Sequence, residues 1–289
     1  MARSSRSVPL TGRVVVITGG ARGIGRATAQ AFLAAGAHVA IGDLDAALAA
    51  RTATEFAGHG RIIGLPLDVT DPDSFAAFVD AAERELGPMD VLINNAGIMP
   101  SGLFAAEDPA MTDRILDINV RGVMTGTRLA LRRFVPRGTG HLINIASLAG
   151  TAGMPGLATY CASKHAVIGF TEAVHLEHAD TGIQITAVLP GNVRTELSAG
   201  ANMPPWVLKA TTIEPEAVAT AILESIGHNR PLLTIPRPLS PVIRLSSLLP
   251  YRLRRLTSNL TGMTTAFTHP NPQARAHYHR RITESPTHP

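Results

Sequence analysis

The chain has 289 residues, 45% hydrophobic and 17% charged, enough apolar material for one large core or two. Its single cysteine excludes an internal disulfide framework, and its eleven histidines show no metal-ligand spacing, so no metal is expected. No charge-free run of about 20 apolar residues occurs, and the N-terminus lacks the apolar core of a signal peptide. A cytoplasmic protein is expected.

The net charge of +4 is unevenly placed: residues 231–289 carry eight arginines and one acid (+7), leaving 18 basic and 21 acidic residues (−3) in 1–230. The basicity therefore belongs to the C-terminal part and suggests an appendage with its own partner. The tail has little aromatic content and no nucleic-acid motif, so no nucleic acid is expected.

Arg13–Thr18 is a β-branched run that reads as a buried strand. The loop Gly19-Gly20-Ala21-Arg22-Gly23-Ile24-Gly25 follows, then a helical stretch from about Arg26 to Ala35. Strand, glycine loop and helix is the context in which a dinucleotide phosphate site is credible. Gly19 permits the turn, Gly23 lets backbone approach a pyrophosphate, and Gly25 lets helix pack on strand. The helix N-terminus then offers its N–H groups to the phosphates.

The next strand, His38–Gly42, ends at Asp43. An acid about 20 residues beyond such a loop bonds the adenosine ribose hydroxyls and repels a 2′-phosphate. Asp43 therefore favours NAD over NADP. Arg22 argues the other way, but Asp43 addresses the 2′ position directly. Asp45 reads as an early-helix acid.

Further strands are expected at Arg61–Leu67, Val91–Asn94, His141–Ala146, Ile183–Leu189 and Leu232–Ile235, and helices at Pro72–Leu86, Met111–Phe134 and Thr159–His178. Alternating strands and helices imply a parallel sheet covered on both faces. The fold class is α/β: a single Rossmann-type, doubly wound, seven-stranded parallel sheet with a helical C-terminal extension. Residues 1–10 form an N-terminal arm, 11–236 the nucleotide-binding catalytic domain and 237–289 the basic extension.

Tyr160 and Lys164 lie four apart, on one face of the last of these helices, with Ser147 upstream at a strand end. Of the 26 basic residues only Lys164 and Lys209 are lysines, so a lysine here suggests a need for a compact ammonium. An ammonium beside a phenol favours the phenolate, which makes tyrosine a usable proton acceptor. Ser147 can hydrogen-bond a carbonyl or alcohol oxygen.

With these residues in place the chain resembles the short-chain dehydrogenase/reductase (SDR) family from about Leu10 to Ile235. Thr18–Gly25 resembles the family's cofactor loop, and Asp68-Val69 its adenine-contacting pair. Asn94-Asn95-Ala96-Gly97 resembles the signature closing the fourth strand. Asn119 falls where the family keeps a helix-kinking asparagine that holds a proton-relay water. Ser147, Tyr160 and Lys164 match the catalytic serine, tyrosine and lysine. Pro190-Gly191-Asn192-Val193-Arg194-Thr195 resembles the loop that cradles nicotinamide, with the Val193 backbone and the Thr195 side chain meeting the cofactor. The resemblance implies an oxidoreductase moving a hydride between nicotinamide and a CH–OH carbon. It also implies a homodimer or homotetramer, in which the helices bearing Asn119 and Tyr160 pack between subunits. A ketoreductase for acyl or small carbonyl substrates would usually use NADPH, which Asp43 disfavours. A non-catalytic NAD sensor need not keep Asn119, Ser147, Tyr160 and Lys164 together.

Ile213–Val218, Leu232–Pro236 and the tail resemble the retinol and 17β-hydroxysteroid dehydrogenase branch, which implies a lipophilic alcohol or ketone. The segment between Glu196 and Thr212, including Trp206, is expected to form a mobile substrate lid, with Met99 and Met154 near the pocket. Beyond Pro241–Leu249, leucines 249, 253, 256 and 260 recur at helical spacing opposite arginines. Such a helix can pack on the enzyme near the substrate mouth or lie on a membrane surface as a peripheral contact. His277 and His279 are expected in a polar, mobile tail.

Overall fold

The computed structural model of the protein describes residues 9–200, 202, 204–239, 250–262 and 264–284. Strands β1 (Val14–Thr18), β2 (His38–Asp43), β3 (Ile62–Pro66), β4 (Met89–Asn94), β5 (Gly140–Ile145), β6 (Ile183–Pro190) and β9 (Leu232–Ile235) form one sheet in the order β3-β2-β1-β4-β5-β6-β9. Every pairing is parallel. The expected seven-stranded doubly wound sheet is therefore present, and the order reverses between β1 and β4. A two-residue pair, β7 (Asn192–Val193) with β8 (Thr212–Ile213), escaped the sequence reading because it is too short to show a period.

Alternation along the strands divides the core into two layers. Val15 and Ile17 of β1 face one cluster with Phe32, Leu33 and Ile222, from α1 (Gly23–Ala34) and α8 (Pro215–Ser225). Val14 and Val16 face another with Phe75, Phe78 and Phe134, from α3 (Pro72–Leu86) and α5 (Gly122–Phe134). Residues i and i+2 of a strand share a face, so a run that is buried throughout feeds both layers.

Helices α2 (Ala46–Phe56), α4 (Pro109–Leu116), α6 (Ala158–Glu177) and α7 (Pro205–Thr211) complete the catalytic body. The expected helix Met111–Phe134 is α4 and α5 joined by one π-helical turn, Asp117–Arg121, with Asn119 buried at its centre. A buried polar chain sets α6 on the sheet: Asn94 Nδ2 donates to Asn144 Oδ1 (2.9 Å), and Asn144 Nδ2 donates to the Thr171 hydroxyl (3.0 Å).

The extension holds α9 (Tyr251–Leu260) and α10 (Pro272–Glu284). The expected polar tail at His277 and His279 is in fact α10, docked through Arg275, Tyr278 and Ile282, all buried. Their i, i+3, i+7 spacing was the available signal, obscured by an arginine at one of the three inward positions. Residues 1–8 of the expected arm, and all of the stretch 241–249, lie outside the described residues. Among the described residues no helix is long and apolar enough to cross a membrane.

Candidate active site

The carboxyl ends of β1, β2 and β4 converge on the glycine loop. Gly19 has φ 62°, and a Cβ there would sit 2.9 Å from Ala96 Cα. At Gly25 a Cβ would lie 2.3 Å from the Gly19 carbonyl oxygen, so α1 can start this close to the loop only with glycine. Gly23 has φ 49° and faces the Thr195 methyl, which brings the loop opposite the Pro190–Thr195 segment. Ile24 packs against the α1-side core.

Two residues of this motif had no role of their own in the sequence reading. Gly20 lies against Ile41, where a Cβ would fall 2.6 Å away. The Thr18 hydroxyl accepts from the N–H groups of Asn95 and Ala96, each at 3.0 Å. Asn95 returns the contact, its Nδ2 donating to the carbonyls of Thr18 (2.9 Å) and Gly19 (3.0 Å). The β4 signature is thereby tied to the β1 loop.

Asp43 accepts from the N–H groups of Ala21 (3.3 Å) and Asp45 (3.2 Å). Burial pushes its carboxyl up, opposed by those two hydrogen bonds and by the Arg22 charge. Asp45 caps α2, accepting from Leu48 N–H at 3.0 Å, and also pairs with Arg22 at 2.7 Å. Asp68 accepts from the backbone and hydroxyl of Thr70 (2.8 and 2.7 Å). Val69 lies against Gly122 and, with Ala96 and Ile118, lines a small hollow beside the β4 end.

Pro190 ends β6, and Gly191 N–H donates to the Ile235 carbonyl at 2.8 Å. Val193 is buried in β7. The Val193 carbonyl accepts from the Ser198 hydroxyl at 2.5 Å, which folds the turn after Thr195 back on the loop.

These residues fit a dinucleotide. Helices α2, α3 and α4 each start on an aspartate whose carboxylate accepts a backbone N–H. Among the described residues α1 has neither such a cap nor a first-turn acid. Its N–H groups are left for an anion, on a loop where the glycines keep side chains away.

Ser147 follows β5, and its hydroxyl accepts from Ala149 N–H at 3.1 Å. Tyr160 and Lys164, on the first turns of α6, are both buried. Burial pushes the Tyr160 hydroxyl above its ordinary range, and a hydrogen bond with Ser147 pulls it the other way. Lys164 Nζ donates to the Ile145 carbonyl at 2.8 Å and stands 5.7 Å from the Tyr160 ring centre. Burial pushes its ammonium down to about 8. Lys164 is thus held on a β5 carbonyl beside the Tyr160 ring.

Asn119 is fastened on three sides. Its Oδ1 accepts from Ile98 N–H (2.9 Å), and its Nδ2 donates to the Ile98 carbonyl (2.9 Å) and the Ser163 hydroxyl (3.1 Å). Gly97 leaves the gap between Asn119 and Lys164 open: a Cβ there would lie 3.1 Å from Asn119 Oδ1 and 3.6 Å from Lys164 Nζ. Ser163 was not foreseen; its hydroxyl accepts from Asn119 Nδ2 and donates to the Tyr160 carbonyl.

Tyr160 belongs to an apolar cluster with Met99, Leu157, Val207, Ala266 and Phe267, against which Met154 and Leu197 pack. Met99 and Met154 therefore both lie in the apolar surroundings of Tyr160. Trp206 is 61% exposed, so Val207 and not Trp206 lines the cluster. Ala201 and Met203 lie outside the described residues. Ala266 and Phe267 come from the extension and carry no sequence mark that distinguishes them.

The family model for short chain dehydrogenases matches residues 13–206. The chain is 41% identical over 232 residues to 3beta-hydroxysteroid dehydrogenase 2 of Eggerthella lenta, covering 78% of this chain and 89% of that protein. It is 33% identical over 259 residues to the probable oxidoreductase EphD of Mycobacterium tuberculosis, covering 83% of this chain and 44% of that longer protein. The crystal structure of a short-chain type dehydrogenase/reductase from Mycobacterium marinum superposes with a TM-score of 0.70 at 31% identity, covering 78% of this chain and 94% of that one. The seven-stranded parallel sheet agrees with the comparisons, and the chain belongs to the short-chain dehydrogenase/reductase family, whose members are NAD(P)-dependent oxidoreductases acting on CH–OH groups.

Proposed function

We propose that this protein is an NAD-dependent dehydrogenase of a lipophilic secondary alcohol, with a steroid-like or long-chain carbinol as the substrate class. The observation that carries the reading is the buried pair Tyr160 and Lys164, one helical turn apart on α6, with Lys164 Nζ 5.7 Å from the Tyr160 ring centre. Tyr160 takes the hydroxyl proton of the alcohol, and Ser147 orients and polarises the same oxygen. Lys164 adds positive charge beside the phenolate as it forms and holds the nicotinamide ribose. The π turn at Asn119 breaks the regular helical ladder, so carbonyls there can hold a water that links Lys164 to solvent. Bound nicotinamide supplies the hydride acceptor. General-base assistance of this kind is worth roughly 10²–10⁴ in rate.

Cofactor contacts are assigned to the loop Gly19, Arg22, Gly23, Ile24 and Gly25, to Asp43, Asp68, Val69, Asn95, Ala96 and Gly97, and to Pro190, Gly191, Val193 and Thr195. Two carboxylates, Asp43 and Asp45, stand near the single arginine of the loop, which supports NAD over NADP. A cytosol rich in oxidised NAD then favours alcohol oxidation. The apolar cluster around Tyr160 and the similarity to the 3beta-hydroxysteroid dehydrogenase of Eggerthella lenta support a lipophilic substrate. Assembly as a homodimer or homotetramer, and peripheral membrane contact through α9, belong to the same proposal.

The test is NAD and NADP reduction by purified protein across steroid, retinoid and long-chain secondary alcohols. Turnover with NAD on a lipophilic alcohol is expected. Turnover with NADP alone would turn the reading toward a ketoreductase. Tight NAD binding without turnover on any alcohol would favour a sensor.

A further inference from the structure

Met99 lies two residues past the Asn94–Gly97 signature, and its backbone is held from the far end of the chain. Its N–H donates to the Tyr278 hydroxyl at 2.7 Å, and its carbonyl accepts from Arg275 Nη2 at 2.6 Å. The same guanidinium donates through Nη1 to the carbonyls of Leu197 (3.1 Å) and Ala199 (3.0 Å). Arg275 is only 6% exposed, an unusual place for a charge unless each donor is used. A planar fork can span two loops at once, which a lysine ammonium cannot.

Neighbouring contacts reinforce the junction. The guanidinium groups of Arg275 and Arg281 stand 5.2 and 5.4 Å from the Tyr278 ring centre, and Arg281 pairs with Glu196. Asn271 and Arg275 close over Gly200, where a Cβ would meet both at 3.1 Å. Phe267 runs so close to Gly156 (φ 83°) that a Cβ there would lie 2.4 Å from its backbone carbonyl. The extension is therefore fitted to the body by glycines at both of its landing points.

We infer that residues 264–284 are a wall of the substrate site, with Arg275 and Tyr278 as positioning residues. They latch the turn at 196–200 to the Met99 backbone and so fix the width of the cleft beside Tyr160. Ala266 and Phe267 supply its apolar surface. The consequence is specificity: the latch sets how bulky an alcohol can reach Tyr160, while the phosphate loop is untouched. This rests on Tyr160 as the proton acceptor.

The test uses the full chain with Arg275→Met, Arg275→Lys and Tyr278→Phe. Hydrogen exchange, which needs no substrate, reads the latch. The amide of Met99 and those of residues 196–200 are expected to exchange at least about tenfold faster in Arg275→Met and Tyr278→Phe, as locally opened segments do. Kinetics read its function. KM for a steroid alcohol is expected to rise about tenfold or more relative to that for a short secondary alcohol, with NAD affinity by fluorescence titration unchanged within about twofold. Arg275→Lys is expected to recover part of the Met99 protection without restoring residues 196–200. Unchanged exchange in all three variants would overturn the latch. Faster exchange with an unaltered ratio of KM values would overturn its role in specificity. If Arg275→Met does not fold, Tyr278→Phe and Arg275→Lys decide the same questions. If wild type turns over no alcohol, the dehydrogenase reading fails, and the exchange result still stands or falls by itself.

Discussion

Arg22 donates to the Asp45 carboxylate at 2.7 Å, so the one basic side chain of the glycine loop is held by an acid two residues beyond Asp43. Both partners are part-exposed, and a pair of that kind is worth at most about 1 kcal/mol. The pair matters for geometry: Arg22 is turned to a carboxylate already in the protein. Replacing Asp43 with serine removes the charge proposed to face a 2′-phosphate. The ratio of kcat/KM for NADP over NAD is expected to rise by roughly 10², since an unpaired like-charge contact costs several kcal/mol. Adding Asp45→Asn, which keeps a capping side chain for α2, should free Arg22 and raise the ratio further. A ratio that stays at the wild-type value in both variants would show that cofactor choice is made elsewhere.

Tyr160→Phe removes the hydroxyl but keeps the ring in its cluster with Leu157 and Phe267. Turnover is expected to fall by at least about 10²–10⁴, with NAD affinity little changed. Ser147→Ala should lower kcat as well. It should also move the alkaline rise of the pH profile upward, because the hydrogen bond from Ser147 is what offsets the burial of Tyr160. Stopped-flow turnover and fluorescence titration of NAD separate the two effects. Near wild-type turnover in Tyr160→Phe would end the proton-transfer assignment.

Much of this was legible because the motifs are local. Gly19, Gly25 and Asp43 report their surroundings through residue type and spacing alone, since each position tolerates few side chains. The strand edges moved by a residue or two, as at β4, which starts at Met89 and not Val91. What could not be read was long-range. Thr18 looks like any strand-end threonine until the Asn95 and Ala96 amides arrive, and Arg275 looks like a solvated arginine until Met99 and Leu197 meet it. Lys164 is the instructive case. Its spacing from Tyr160 was right, but the partner of its Nζ is a carbonyl on β5, which no sequence pattern names.

His141 gives the fold a pH dependence of its own. The ring is buried in β5, with Nε2 3.0 Å from the Thr186 hydroxyl on β6. Burial, helped by the charge of His228, pushes its pKa from 6.5 down to about 3. Below pH 6.5 the unfolded chain takes up a proton that the folded chain refuses until about pH 3. Its contribution to stability is therefore complete above 6.5 and is lost progressively as the pH falls from there toward 3. By pH 5 the loss from this one group is about 2 kcal/mol, at 1.36 kcal/mol per unit. Urea unfolding at pH 7.5 and pH 5 checks this: His141→Gln should show an acid-induced drop smaller by about that amount. Equal drops in variant and wild type would mean that the ring can be protonated in the folded state.

The extension divides into two halves with opposite habits. Helix α10 turns Tyr278 and Ile282 inward, whereas α9 leaves Leu253, Leu256 and Leu260 at 47%, 53% and 70% exposed, with Arg252 and Arg255 beside them. Its far end abuts the start of α7, since a Cβ at Gly262 would lie 2.7 Å from Pro204, and α7 carries the exposed Trp206. An apolar stripe flanked by arginines, with no acid in Tyr251–Leu260, suits an anionic lipid surface. Co-sedimentation with vesicles containing phosphatidylserine is expected at low salt, with much weaker binding to phosphatidylcholine alone. Each basic residue at such a surface is worth about 1 kcal/mol, so Arg252→Gln with Arg255→Gln should weaken binding by roughly 30-fold. Leu256→Asp with Leu260→Asp should weaken it while leaving NAD affinity intact. If wild type ignores anionic vesicles and light scattering shows an oligomer that Leu256→Asp dissociates, the stripe is covered by a second copy of the chain instead.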